Sequence, residues 1–423
     1  MSGERNNSFA TSSQMYAGSD CTQVTPVALQ RKASDMVSGT SLKLDAHVVL
    51  LNNYVRPHHV AVYTELAKRV RELTILLSVP MEPDRSWQPQ WEGLDVRVQK
   101  NWMFTARWKH SSGFAEPNFI HVPIDTTKQL KNLNADIVFS YEMGVRTLLS
   151  CWYRRFHPKV PLVMVGNMSE HVEAERGLAR RVLRRSICRG ADYFTYNGPS
   201  CKRYLESLSV TPDRLFEVPY CIDSSVVFDG TREASKTDHR KLLYCGSLSD
   251  RKGIMQFTQM MRQWCDDNPQ RAVTLSIAGD GPLKDSIANL AGGRFEISFL
   301  GHCDSSDLKK AYRDNDIAVF PSLADEWGLV PIEAMKSGLP VLGSFFAQSV
   351  EAYCQDDKSG WSFDPTNEND LRSAIKRAMA CSFEKLHQMG EFARESVAQV
   401  TPERSAECFC RVIESAIPNV GHV

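Results

Sequence analysis

Residues 325–340 read DEWGLVPIEAMKSGLP and set three carboxylates, Asp325, Glu326 and Glu333, around a glycine and a proline. Proline lacks an N–H donor and clashes with the preceding turn, so a helix tolerates it only in its first turn. Pro331 therefore predicts a helix that starts at about Gly328 to Val330. Gly328, Leu329 and Val330 would present unpaired main-chain N–H groups there. Such an end takes an anion, because free donors and the positive end of the helix dipole point the same way. Gly328 would let a bulky anion approach closely. Glu333, one turn in, suits no phosphate but can accept hydrogen bonds from the vicinal hydroxyls of a ribose. Asp325 and Glu326, just ahead of the helix, could do the same for a sugar ring. The other reading stays open: acids near a helix start support its dipole by roughly 0.3–1 kcal/mol each with no ligand at all.

A second stretch points to the same chemistry. Residues 244–254, YCGSLSDRKGI, read as a strand end, a turn at Gly246 and Ser247, a basic pair, and a glycine before the next helix. Arg251 supplies a planar fork and Lys252 a point charge, and two cations beside a helix start make a diphosphate site. An Arg–Lys pair on a loop is otherwise a solvated feature.

These residues need strands and helices to hold them. Apolar strand patterns alternate with helical ones from 47–55 (HVVLLNNYV) onward: a helix from Val60, strands at 73–79 and from Ala135, Pro161, Ala191 and Leu215. The rhythm stops at 221–239, a polar stretch without period, and restarts with strands from Lys241, Val273, Glu296, Asp316 and Pro340. Such alternation predicts an α/β fold, two doubly wound Rossmann-like domains facing a cleft. Ligands in such sheets bind beyond the carboxyl ends of the strands, so the cleft is the expected site. The expected organisation is a disordered leader over 1–44, a domain over 45–220, a linker over 221–239, a domain over 240–398, and a final helix in 399–423 that packs back on the first domain.

Composition bounds the class. The 423 residues are 42% hydrophobic and 24% charged, which suits a globular chain of two domains. Net charge is zero overall, but 45–220 carry about +6 and 221–423 about −7. No apolar run approaches the roughly 18 residues that span a bilayer, and no signal-peptide pattern opens the chain. The twelve cysteines are scattered without metal or redox spacing, which fits reduced thiols in a cytoplasm. The acids of residues 314–316 (DND) read as structural, and no cluster has metal-ligand spacing; no metal is expected.

Taken together, GSLSDRKG, GDGP, FLG, FPS and DEWGLVPIEAMKSGLPV resemble, in register, the nucleotide-sugar domain of the retaining glycosyltransferases of family 4, which have the GT-B fold. The resemblance covers about 241–371. It implies that Lys252, with Arg251, meets the donor diphosphate, that Gly246 and Ser247 line the donor, and that Gly328, Leu329 and Val330 offer N–H groups to the phosphates. Ser247 stands where that family more often has arginine. Glu333 matches the second acid of its E-x7-E motif and would hold the ribose. Asp325 matches the first and would face the donor sugar; it is aspartate where the family has glutamate, and Glu326 is its neighbouring substitute. Gly301 and His302 would border the base.

The first domain resembles the family less, for its first turn, NNYVRPHHV, has no glycine. Arg56, His58 and His59 lie at that strand's end and could reach the cleft, although two adjacent histidines on a turn are commonly solvated. Glu170 and His171, in MSEH, are acceptor-side or sugar-contacting candidates. In residues 176–190, Arg180, Arg181, Arg184 and Arg185 form a basic helical face that would either lie on anionic lipid or be solvated; no nucleic-acid reader motif accompanies it.

The resemblance implies a retaining, metal-independent glycosyltransferase with a nucleoside-diphosphate sugar as co-substrate and no other cofactor. It would act on a glycan, lipid-linked sugar or small molecule, in polysaccharide biosynthesis. The scattered thiols and the basic face would place it in the cytoplasm or peripherally at the inner membrane face. The alternatives are a non-hydrolysing epimerase and a non-catalytic sugar-nucleotide-binding protein.

Overall fold

The computed structural model describes residues 43–83, 91–174, 176–222, 224–230 and 239–423. The first lobe runs β1 (Leu44–Asn52), α1 (Pro57–Ala67), β2 (Val70–Leu77), β3 (Asp95–Val98), β4 (Asn101–Lys109), β5 (Ala115–Pro123), α2 (Thr126–Leu133), β6 (Ile137–Tyr141) and α3 (Val145–Phe156). It continues through β7 (Leu162–Val165), α4 (Glu170–Glu173), α5 (Leu178–Gly190), β8 (Tyr193–Tyr196), α6 (Pro199–Ser207) and β9 (Leu215–Glu217). Seven of these strands form a parallel sheet in the order β3-β2-β1-β6-β7-β8-β9. The apolar runs of the inner strands β1, β2, β6 and β7 are buried on both faces, as helix-covered parallel strands must be. One face packs on α1; the other packs on α2, α3, α5 and α6.

The second lobe runs β10 (His239–Cys245), α7 (Ile254–Asp267), β11 (Ala272–Ala278), α8 (Lys284–Ala288), β12 (Phe295–Gly301), α9 (Ser305–Asp314) and β13 (Ile317–Phe320). Then follow α10 (Leu329–Lys336), β14 (Val341–Ser344), α11 (Gln348–Tyr353), β15 (Gly360–Phe363), α12 (Glu368–Ala380), α13 (Phe383–Ser396) and α14 (Pro402–Ala416). Its sheet is parallel in the order β12-β11-β10-β13-β14-β15. The α/β class with two Rossmann-like sheets is thus observed.

Several details differ from the sequence reading. Most of the expected leader lies outside the described residues, but Lys43 already pairs with Val423 and β1 starts at Leu44, ahead of the expected His47. Much of the expected linker, 231–238 and Asp223, also lies outside them. Helix α14 buries Ala406, Phe409, Val412 and Ile413 against the first sheet's core. An antiparallel hairpin, β4 with β5, was not legible, because its exposed strands lack the buried apolar run of their neighbours.

Two corrections concern side chains. His58 and His59 sit inside α1, not on a turn, because Pro57 starts that helix; both are buried. The basic face of α5 is half what was expected. Arg184 is only 3% exposed and lies 2.7 Å from Glu173, and Arg180 meets the same carboxylate at 3.3 Å. Positions four apart share one helix face, so 180 and 184 turn inward together while Arg181 faces solvent and Arg185 stays half-buried. The DND acids are structural in detail: Asp314 pairs with Arg313, and Asp316 accepts the Lys241 N–H at 2.7 Å.

Candidate active site

Strands β10 and β13 lie side by side, with Leu242 opposite Ile317 and Tyr244 opposite Val319. The chain turns outward to opposite sides from them, so their carboxyl ends mark the switch point where such sheets open a crevice. The loop after β10 carries Arg251 and Lys252; the loop after β13 carries Asp325 and Glu326. Main-chain contacts zip the two together: Leu323 N–H donates to the Arg251 carbonyl at 2.8 Å. Gly253 makes this possible. Its φ is +64°, and a Cβ there would stand 2.1 Å from the Pro321 carbonyl oxygen.

In this arrangement Lys252 Nζ donates to Asp325 Oδ2, and an Arg251 Nη lies 3.7 Å from the same oxygen. Arg251 also donates through Nε to Glu116 of β5 at 2.8 Å and through Nη1 to the Ala324 carbonyl at 3.1 Å. Lys252 sits 5.1 Å over the Phe320 ring, and that ring touches Gly328, whose added Cβ would meet Cε1 at 3.1 Å. Gly328, with φ +85°, precedes α10, and no side chain caps that helix. The N–H groups of Leu329 and Val330 find no acceptor among the described residues. Glu333, half-buried in α10, accepts the Tyr312 hydroxyl at 2.7 Å, which fixes its carboxylate. Gly246 crosses Gly279 so closely that a Cβ on the latter would lie 1.9 Å from the Gly246 carbonyl oxygen. Ser247 is exposed, its carbonyl held by the Tyr244 hydroxyl. The structure thus brings Gly246, Arg251, Lys252, Asp325 and the α10 start to one switch point. Gly301 and His302 stand at the carboxyl end of edge strand β12, two strands along the sheet from β10, with His302 exposed.

Charge follows burial. Burial pulls Lys252 below its ordinary range, with Asp325 opposing the shift. Burial also works against ionising Asp325, but Lys252 and Arg251 together hold its carboxyl below the usual range. Glu326 behaves differently. Burial pushes its carboxyl up to about 7; Arg56 opposes this, while Glu142, Glu173 and Asp325 add to it.

Glu326 points at the other lobe. Asn167 Nδ2 lies 3.4 Å from its Oε2, and Asn197 and Gln348 both donate to its carbonyl. Arg56 feels Glu326 and caps α1 without a side-chain bond. His58 and His59 pack behind it against Tyr220, tilted at 5.4 Å and edge-on at 5.7 Å, and Tyr220 meets Trp327 at 6.1 Å. Burial lowers the His58 pKa to about 3, with Arg56 adding to it, so this imidazole is neutral. His171 stacks on Phe346 of the second lobe at 3.8 Å and 11°. Glu170 is taken by Arg203, which also reaches Glu351 of α11, so the pair straps the lobes together.

The sequence reading missed Glu116, Asn167, Asn197 and Gln348. Asn167 and Asn197 had a signal: each stands beside a glycine at the carboxyl end of an apolar strand. Glu116 and Gln348 had none, because only the hairpin and the lobe contact bring them here. The hairpin tip packs Phe114 with Val172, Leu323 and Ala324. Among the described residues no group of three or more His, Cys, Asp or Glu could hold a metal ion.

Two parallel Rossmann-like sheets with a site at their switch point define the GT-B architecture. The crystal structure of Anabaena HepE in complex with UDP superposes with a TM-score of 0.65 at 15% identity, over 87% of this chain and 100% of that one. Sucrose-phosphate synthase from Thermosynechococcus elongatus gives 0.63 at 17%, over 87% and 98%. In sequence, the family described as Glycosyl transferases group 1 matches residues 229–396. An uncharacterised glycosyltransferase of Methanocaldococcus jannaschii is 29% identical over 146 residues, 34% of this chain and 36% of that protein. The sulfoquinovosyl transferase of Arabidopsis thaliana is 29% identical over 147 residues, 34% and 28%. The chain thus spans about a third of the length of these curated relatives. The scaffold has the GT-B fold, and its second lobe carries the sequence likeness.

Proposed function

We propose that the chain transfers a glycosyl group from a nucleoside-diphosphate sugar to an acceptor hydroxyl, with retention at the anomeric carbon and without a metal ion. The observation that carries this reading is the convergence of Lys252 and Arg251 beside the uncapped start of α10. Lysine has three N–H donors, so Lys252 can keep Asp325 and still bind a phosphate oxygen. As the bond from the anomeric carbon to the diphosphate breaks, negative charge grows on the leaving oxygen. Lys252, Arg251 and the Leu329 and Val330 N–H groups stabilise that charge more in the transition state than in the ground state. The acceptor oxygen bonds to the anomeric carbon on the departure face, and its proton passes to the leaving diphosphate. Asp325 orients the sugar, and Glu333, held by Tyr312, accepts from the ribose hydroxyls. Anabaena HepE binds UDP and UDP-glucose, which favours a uridine nucleotide here. The acceptor is a glycan or lipid-linked sugar, reached from the side of His171.

Thermal shift against UDP, GDP, ADP and their sugars tests the reading. One diphosphate should stabilise the protein, Lys252→Ala should abolish that shift, and Glu333→Ala should weaken it about tenfold in apparent affinity through one lost charge-assisted bond. A donor that turns into its epimer with no acceptor present would sink the transfer mechanism.

A further inference from the structure

The outward surface of the first lobe, on the side away from α1 and α14, is apolar and basic at once. Helix α3 exposes Trp152 (61%) and Phe156 (62%), packed edge to face at 5.0 Å. Helix α5 exposes Leu178 (80%) and Val182 (63%), four residues apart and therefore on one stripe. The two helices meet where Gly190 faces Cys151; a Cβ on Gly190 would stand 2.8 Å from its Sγ. The hairpin adjoins them: α3 also packs on β5, and Arg176, just before α5, stacks 4.0 Å over Trp108 of β4. Trp102 and Phe104 share the Trp108 face by strand alternation and are exposed.

Charge on the two helices has one sign. Neither α3 nor α5 contains an acidic residue. Arg154, Arg180 and Arg184 are paired, but Arg155, Arg181, Arg185 and Arg189 have no acidic partner among the described residues. At the end of α5, Arg185, Arg189 and Arg214 line a hollow of about 390 Å³. Arg214 commits Nε and Nη2 to the carbonyls of Asp192, Cys188 and Ala191, which leaves its Nη1 with Arg185 and Arg189 for a ligand. The Arg185 Nε is buried there without a partner.

We propose that this surface docks on an anionic lipid bilayer, with Trp152, Phe156, Leu178 and Val182 in the interface and a lipid phosphate seated between Arg185 and Arg189. Tryptophan and other amphipathic rings favour the headgroup level, and unneutralised arginines are drawn to an anionic leaflet. A second copy of the chain is the poorer occupant, because a two-fold contact would set these arginines against themselves. This inference stands apart from the sugar-transfer reading.

The test is co-sedimentation of the full chain with phosphatidylcholine vesicles and with mixed phosphatidylcholine–phosphatidylglycerol vesicles at low and high salt. The protein should pellet with the mixed vesicles at low salt and stay largely in solution with the neutral ones. Arg185→Glu with Arg189→Glu, and separately Trp152→Ala with Phe156→Ala, should each lower partition about tenfold. Both variants should keep the wild-type unfolding temperature and any nucleotide shift, which separates this outcome from the fate of the donor site. No pelleting with anionic vesicles, or pelleting that neither double variant lowers, overturns the proposal. So does a dimer by sedimentation equilibrium that Trp152→Ala with Phe156→Ala dissolves, since the apolar surface would then belong to a second copy.

Discussion

Glu326 is the residue whose ionisation reports most directly on the cleft. Its carboxyl titrates near 7 in the fold against an ordinary 4.5. Between those values the folded protein holds a proton that the unfolded chain has released. Stability therefore falls as pH rises through that window and levels off above it. Glu326→Gln removes the slope. The variant should match the wild type at the acid end and exceed it above neutrality by at most about 3 kcal/mol, less because the carboxyl is partly exposed. Urea unfolding across the window measures this, and an unchanged slope in the variant would refute the assignment. Sequence reasoning placed Glu326 beside Asp325 as its substitute. Its distinct environment, set by Arg56, Glu142 and Glu173 of the other lobe, arises only when the lobes meet.

At the scale of elements, the loops after β10 and β13 act as one unit because Gly253 lets them touch. Gly253→Ala forces a Cβ into the Pro321 carbonyl at a positive φ, so the loops must separate or the backbone must strain. A loss of about 1–3 kcal/mol is expected. The diagnostic readout is donor affinity, which should weaken more than the melting temperature alone predicts, because Arg251 and Lys252 move with the loop. Normal nucleotide affinity in a destabilised variant would mean that the zipped loops do not position the cations. The strands and the α10 start were legible here, since apolar runs and Pro331 have local causes. The hairpin was not, because exposed aromatic strands resemble neither a core strand nor a polar loop.

Across the whole molecule, Gln348 joins the lobes. Its side chain, fully buried, accepts the Cys201 N–H at 2.7 Å and donates to the carbonyls of Met168 at 3.1 Å and of Glu326. Gln348→Ala leaves the Cys201 N–H and the Met168 carbonyl unmatched, with only Asn197 left on the Glu326 carbonyl, so it should cost about 1–3 kcal/mol. Gln348→Glu should cost more, because a carboxylate would face two carbonyl oxygens. Both should broaden the unfolding transition as the lobes uncouple, which calorimetry would register as a calorimetric enthalpy above the van't Hoff value. A sharp two-state transition in both variants would show that other contacts, such as Arg203 to Glu170 and Glu351, carry the coupling.

The amino-acid order by itself determined two doubly wound units, the basic pair, and a helix start ringed by acids. Each follows from short-range causes: buried apolar periodicity, the missing proline N–H, and glycines where the backbone turns. Tertiary structure alone decided which charges meet. It turned Arg180 and Arg184 inward to Glu173, buried His58 and His59 within α1, and brought Glu116 and Gln348 to the cleft. Such pairings depend on the distance between elements far apart in the chain and on the burial they share, and no local pattern encodes either.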